Sequence, residues 1–368
     1  MAKQAGMSSL SKTVVGGFAL VGLARAYESA VIRGSGRRIA RLEHDVMYDE
    51  DLHFCRDGEP LFLVDPSYGT TIFFVDGFRI RPAVGMNRDW LTAMHRDLKV
   101  NIVAPVVGLQ SMPYWLRSKE WSYVEELRQA IQLYDAYVAA REPGHRMVPV
   151  SFSYGSAAVL TIAAKRNPAE VLLLSPIPAQ LALPEQQIDR LPDWIREFAR
   201  KVLRAALEPD GTFRGRRMGW VQYVLPIYMR PGEASGGWDV ADRACREKVN
   251  AAILNGQELR LRDLLEIYDA MKFIRTRLLP ELAGTRITVF SGRKDSIMTS
   301  ETADLFVEQL RAAGSDVEHL VYTRSAHNLL LDCEAEQVLA AIAERIVRGD
   351  ASREPVAVDL TEASIERS

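Results

Sequence analysis

The sequence predicts an α/β protein: a mostly parallel central sheet with helices on both faces and a helical insertion. Three observations carry this. From about residue 60, short apolar β-type runs alternate with segments of helical period, and that alternation implies parallel strands joined by crossover helices. Over about residues 179–283 the pattern is mostly helical, and afterwards the alternation resumes. The chain has 368 residues, 48% hydrophobic and 26% charged, ample for a large core and outside the range of disordered, collagen-like or polytopic membrane chains.

Each element has its own signal. Residues 61–64 and 71–75 read as strands separated by turn residues Pro66 to Gly69. Residues 90–98 read as a helix and 100–107 as a strand. Residues 120–141 form a long amphipathic segment, with Val124, Leu127, Ile131, Tyr134 and Val138 three or four apart. A strand at 147–152 leads into a helix at 157–165, which stops before Asn167-Pro168. VLLLS at 171–175 is a buried strand. The helical stretch that follows has breaks at Pro184 and Pro192 and glycines across 232–237. Then come a strand at 286–291, a helix at 301–313, a strand at 317–322 and a last helix at 334–347.

In open parallel sheets, functional groups collect beyond the carboxyl ends of the strands. The 147–152 strand ends in Ser151-Phe152-Ser153-Tyr154-Gly155, and a helix follows at once. A strand, a sharp turn and a helix with serine at the apex form a nucleophile elbow, which needs small residues two before and two after the serine. Gly155 meets the second need, and Ser151 stands in for the usual glycine at the first. Taken alone, such a serine is more often a helix cap. The 286–291 strand ends in Ser291-Gly292-Arg293-Lys294-Asp295, and the 317–322 strand leads to Ser325-Ala326-His327-Asn328. The other histidines, His44, His53, His95, His145 and His319, do not follow a strand end. The order Ser153, Asp295, His327, each after a separate strand, is the chain order of a nucleophile, acid and base in a hydrolase built on this topology.

On the motifs VDGF, SFSYG, SGRKD and SAHN, the chain resembles the α/β-hydrolase superfamily, and within it the lysophospholipase, monoacylglycerol lipase and serine aminopeptidase group. The likeness covers about residues 60–348. It implies a catalytic triad of Ser153, Asp295 and His327, with backbone N–H groups of Phe78 and Tyr154 as the oxyanion hole. Ser151, Gly155 and Gly77 would support the elbow. Asp76 stands where the superfamily often has histidine, and an anion beside a developing oxyanion is unfavourable, so its carboxylate is expected to point into a turn network. The expected domains are an α/β-hydrolase domain at 42–348 with a helical cap at about 179–283, flanked by two segments outside the likeness, a basic arm at 1–41 and a charged tail at 349–368. The implied function is a serine hydrolase cleaving a carboxylic ester with a hydrophobic acyl group, through an acyl-enzyme and without metal or cofactor. A peptidase or amidase of the serine aminopeptidase type, an acyltransferase and a non-catalytic member are the alternatives. Trp194, Trp220 and Trp238 in the insertion, and Tyr114, Trp115 and Trp121 before it, either pack the cap or line an acyl pocket.

The formal net charge is −2, which argues against a dedicated nucleic-acid binder. That average hides an asymmetry. Residues 1–41 hold Lys3, Lys12, Arg25, Arg33, Arg37, Arg38 and Arg41 against Glu28, a charge of +6, so the rest sums to −8. The uncharged run TVVGGFALVGLA at 13–24 is 12 residues long, too short for a helix that spans a bilayer, which needs about 20. It fits a signal-peptide core, but the basic flank after it resists export. The alternatives are a helix packed on the body and peripheral contact of residues 13–41 with an anionic membrane. Three scattered cysteines, Cys55, Cys245 and Cys333, make neither a disulfide framework nor a zinc site. The expectation is a cytoplasmic protein whose arm either packs on the body or meets a membrane surface, export through a cleaved signal being the alternative.

Overall fold

A computed structural model of the chain describes residues 61–77, 86–105, 107, 123–139, 141, 144–178, 226–228, 258–260, 267, 269–295 and 298–348. The 1–41 arm, most of the 179–283 insertion, Phe78 and the 349–368 tail lie outside the described residues.

Seven strands form one sheet: β1 (Leu61–Leu63), β2 (Thr70–Val75), β3 (Asn101–Ala104), β4 (Arg146–Phe152), β5 (Val171–Leu174), β8 (Arg286–Gly292) and β9 (Asp316–Tyr322), while β6 (Pro226–Tyr228) pairs with β7 (Glu258–Arg260). The sheet order is β1-β3-β2-β4-β5-β8-β9, which puts β4 in the middle. All pairings in this sheet are parallel except β1 against β3. The helices are α1 (Met86–Leu98), α2 (Tyr123–Ala139), α3 (Ser156–Arg166), α4 (Ser300–Ala312) and α5 (Ala335–Arg348).

Period-two alternation along the strands feeds two cores. Phe73, Val75, Val171, Leu173, Ile287 and Val289 point to the face covered by α2, α3 and α4. Ile72, Phe74, Val148, Val150, Leu172, Leu174 and Phe290 point to the face covered by α1 and α5. Strands buried on both faces read as continuous apolar runs, which is why TTIFFV and VLLL are legible as strands. The edge strand β9 keeps half-exposed positions. Asn167 ends α3 with φ 44°, and its N–H donates to the Ala163 carbonyl at 2.9 Å, the left-handed cap that asparagine tolerates.

Within the stretch read as helical, two segments differ from that reading. β6 and β7 form an antiparallel pair; three residues each are too few to show a period. Residues at the end of the stretch, Ala270, Met271, Ile274, Leu278, Leu279 and Leu282, pack into the main core on the α3 side.

The amino ends of the central strands hold a cluster of charge in which Glu170 and Arg345 are buried. Arg146, the first residue of β4, pairs with Glu170 at 3.2 Å and donates to the carbonyl oxygens of Ile346 and Arg345 in α5. Arg345 donates to Thr288 at 3.2 Å and pairs with Glu318 at 2.5 Å. Burial pushes the Glu170 carboxyl above the usual carboxylate range, against the pull of Arg146. This cluster ties the last helix to the start of the strand that carries Ser153 at its other end.

Candidate active site

The sheet brings the three strand-end residues into one line. β4 runs extended to Phe152, with φ −118° and ψ 135°, and the chain then turns at Ser153, which has φ 49°. A non-glycine residue in this left-handed region is strained by about 1–2 kcal/mol. The turn continues through residues 153–155 into α3. The Ser153 carbonyl accepts from the Ile177 amide at 3.2 Å, which anchors the turn to the loop after β5. A Cβ on Gly155 would lie 2.3 Å from the Val75 carbonyl oxygen and 2.6 Å from that of Asp76. The helix therefore touches the backbone at the end of β2, and no side chain fits there.

The loop after β9 supplies His327. Its Nε2 lies 2.9 Å from Ser153 Oγ, and its Nδ1 lies 2.7 Å from Asp295 Oδ2. The side chains of His327 and Asp295 are 5% and 0% exposed. The second carboxylate oxygen, Asp295 Oδ1, accepts from the Met298 amide at 2.8 Å, which fixes the plane of the carboxylate. With Nδ1–H donating to Asp295, Nε2 is left to accept the Ser153 hydroxyl proton. The Phe152 ring packs beside the imidazole, with ring centroids 5.4 Å apart.

The acid and histidine loops meet by backbone. A Cβ on Gly292 would fall 2.3 Å from the Ala326 carbonyl oxygen. The Arg293 amide donates to Tyr322 and the Lys294 amide to Ser325. Two carboxylates that the sequence reading passed over also hold the histidine loop. Asp332 accepts from the Ala326 amide at 2.7 Å and from the Cys333 amide at 2.9 Å. Glu334 accepts from the Arg324 amide at 2.8 Å and from the Ser325 hydroxyl at 2.7 Å. Both residues are buried. In sequence, nothing singles out Asp332 and Glu334; the signal beside them is the Leu329–Leu331 turn, which the core absorbs in part.

The remaining expected residues fall as follows. Tyr154 follows Ser153 in the turn and is buried; Phe78, the other expected oxyanion donor, lies outside the described residues. Asp76 is buried, and its Oδ1 accepts from the Gly77 amide at 2.8 Å. A Cβ on Gly77 would come within 3.2 Å of Ser153 Cβ, so residue 77 lies beside the serine. Ser151 is fully buried opposite Val75 and Leu173, and its Oγ has no hydrogen-bond partner among the described residues. His95, His145 and His319 bond to Val100 O, Thr71 Oγ1 and Ser291 Oγ instead; His44 and His53 lie outside the described residues. No group of three or more metal-binding side chains assembles among the described residues, and no helix among them is long and apolar enough to cross a membrane.

No family model matches the chain, and no curated protein matches it by sequence. Solved structures do match in shape. The soluble variant of monoglyceride lipase from Saccharomyces cerevisiae, in complex with a substrate analogue, superposes with a TM-score of 0.56 at 11% identity, covering 78% of this chain and 91% of that one. The monoacylglycerol lipase of Paleococcus ferrophilus gives 0.52 at 16% identity, with 79% and 98% covered. A thermostable carboxyl esterase from Bacillus coagulans, in complex with glycerol, gives 0.52 at 15% identity, with 78% and 92% covered. The chain has the α/β-hydrolase fold.

Proposed function

We propose that the protein is a serine hydrolase that cleaves carboxylic esters. The observation that carries this reading is the hydrogen-bonded line from Ser153 Oγ through His327 to buried Asp295, set on a strained turn at the carboxyl end of the central strand. Lipases and an esterase among the structures of like fold support it.

On this reading, Ser153 Oγ attacks the ester carbonyl carbon while His327 Nε2 takes the hydroxyl proton. Asp295 holds the imidazole tautomer and stabilises the imidazolium. The Tyr154 N–H and the Phe78 N–H stabilise the tetrahedral oxyanion, each worth roughly 2.7–4 kcal/mol. Collapse of the intermediate expels the alcohol, which takes the proton from His327. Water, deprotonated by His327, then attacks the acyl-enzyme, releases the acid and restores the serine. The substrate class is an ester with a hydrophobic acyl group. The arm at 13–41 contributes peripheral membrane contact, and the compartment is the cytoplasm.

A fluorophosphonate probe should label the protein, and Ser153→Ala should abolish labelling. A folded wild-type protein that takes no label refutes the reading. On p-nitrophenyl esters of increasing acyl length, kcat/KM should rise from acetate to the medium chains. A flat or falling series would remove the hydrophobic acyl pocket.

A further inference from the structure

We infer that Asp332 and Glu334 are positioning residues that strap the loop 323–334 so that His327 stays between Ser153 and Asp295, an inference that rests on the serine-hydrolase reading above. The loop leaves β9 at Tyr322 and returns to α5 at Ala335. His327 sits at neither end but in mid-span, where a loop has no ladder to fix it. Its imidazole is clasped by Asp295 on one side and by the Phe152 ring on another, but the backbone that carries it needs its own restraint.

That restraint is the pair of buried carboxylates. Asp332 uses both oxygens, Oδ2 on the Ala326 amide, one residue before the histidine, and Oδ1 on the Cys333 amide. It therefore closes residues 326–332 into a ring. Glu334 Oε2 takes the Arg324 amide and the Ser325 hydroxyl together, closing an outer ring over 324–334. Hydrogen bonds to an ionised acceptor are shorter and about twice as strong as neutral ones. The Arg324 guanidinium stands 3.9 Å from Glu334 and is mostly exposed, so the N–H and O–H donors make the closer contacts. Ser325 itself is fully buried, and Gly292 lies so close to the loop that a Cβ there would fall 2.4 Å from the Ser325 carbonyl oxygen and 2.3 Å from that of Ala326. The loop is thus pinned between the acid loop and its own two carboxylates. A misplacement of 1 Å in such a site is enough to lower the rate about a hundredfold.

The test compares wild type, Asp332→Asn, Asp332→Ala and Glu334→Gln in full-length protein. An amide at 332 retains one acceptor and turns a donor toward a donor, so Asp332→Asn loses one of the two carboxylate bonds and keeps the shape. Expected are a fall in kcat of at least about tenfold with KM changed less than twofold for the Asp332 variants. A smaller fall is expected for Glu334→Gln. The downfield proton resonance of the His327 Nδ1–H bond, present in wild type, should broaden or move upfield in the same order. Circular dichroism and active-site titration with the fluorophosphonate normalise each rate to folded protein. Unchanged kcat with an unchanged downfield proton overturns the inference. So does a fall in activity that tracks only the folded fraction, or a failure of both Asp332 variants to fold, since the carboxylate would then hold the fold and not the histidine. If wild type shows neither labelling nor turnover, the hydrolase reading itself fails, a result distinct from all of these.

Discussion

β4 begins on Arg146 and ends one residue before Ser153, and its two ends treat buried polar groups in opposite ways. At the amino end, Arg146 is well partnered: a carboxylate and two helix carbonyls accept from its guanidinium. Arg345 nearby is likewise shared among Thr288, Ala341 and Glu318. At the carboxyl end, the chain is strained at Ser153 and the hydroxyls of Ser151 and Ser175 find no partner among the described residues. The first end resembles a lock, the second a site held ready for a reagent. The same strand serves both because a well-paired base helps hold the strain at the other end.

The comparison can be broken most sharply at Ser153. On the proposed reading, Ser153→Ala lowers kcat on the order of 10⁶-fold. Ser153→Gly should be equally inactive yet more stable by about 1 kcal/mol, because glycine accepts a positive φ without strain; the urea midpoint measures this. A glycine variant less stable than wild type would mean that the turn is not strained. Asp295→Asn should lower kcat about 10⁴-fold by favouring the wrong imidazole tautomer. At the opposite end the pattern should invert. Glu170→Ala leaves the half-buried Arg146 without this carboxylate and should lower stability by about 1–3 kcal/mol, while kcat/KM of the folded protein stays as it was. A drop in kcat/KM there would show that the two ends are mechanically coupled.

The smallest effect is a pH dependence. Burial lowers the His319 imidazole below its ordinary 6.5, with the Asp304 carboxylate opposing. Its folded value is depressed, so its share of stability is whole above pH 6.5 and is lost as pH falls toward the folded value. His319→Gln keeps a partner for Ser291 and removes the titration. The Tm gap between variant and wild type should therefore shift in favour of the variant only below about pH 6.5.

What could be read from the sequence follows from how local each signal is. Strand and helix periods are local, so β2, β4, β5, β8 and β9 lie within a residue or so of their sequence-based bounds. The elbow is local as well: Ser153 and Gly155 need only a strand before and a helix after. The juxtaposition of Ser153, Asp295 and His327 spans the chain, and it was legible only because strand-end position and chain order stand in for distance. The Arg146–Ile346 bond joins residues 200 apart, and no pattern in the sequence marks it. Asp332 and Glu334 were missed for another reason: Asp332 is bound by backbone amides, which no side-chain pattern marks, and the Ser325 hydroxyl that Glu334 takes lies nine residues back along the loop. The antiparallel direction of β1 depends on a long return path that its three apolar residues do not encode.

The two glycine contacts carry one more consequence, for laboratory evolution. At Gly155 and Gly292, main chain meets main chain with no room for a methyl group. In a saturation library selected for new substrates, those two codons should stay invariant. Winning changes should instead gather in segments that leave the spacing between the serine, acid and histidine loops untouched. On the proposed reading, substrate range can then drift while the distance between Ser153 and His327 remains inherited intact.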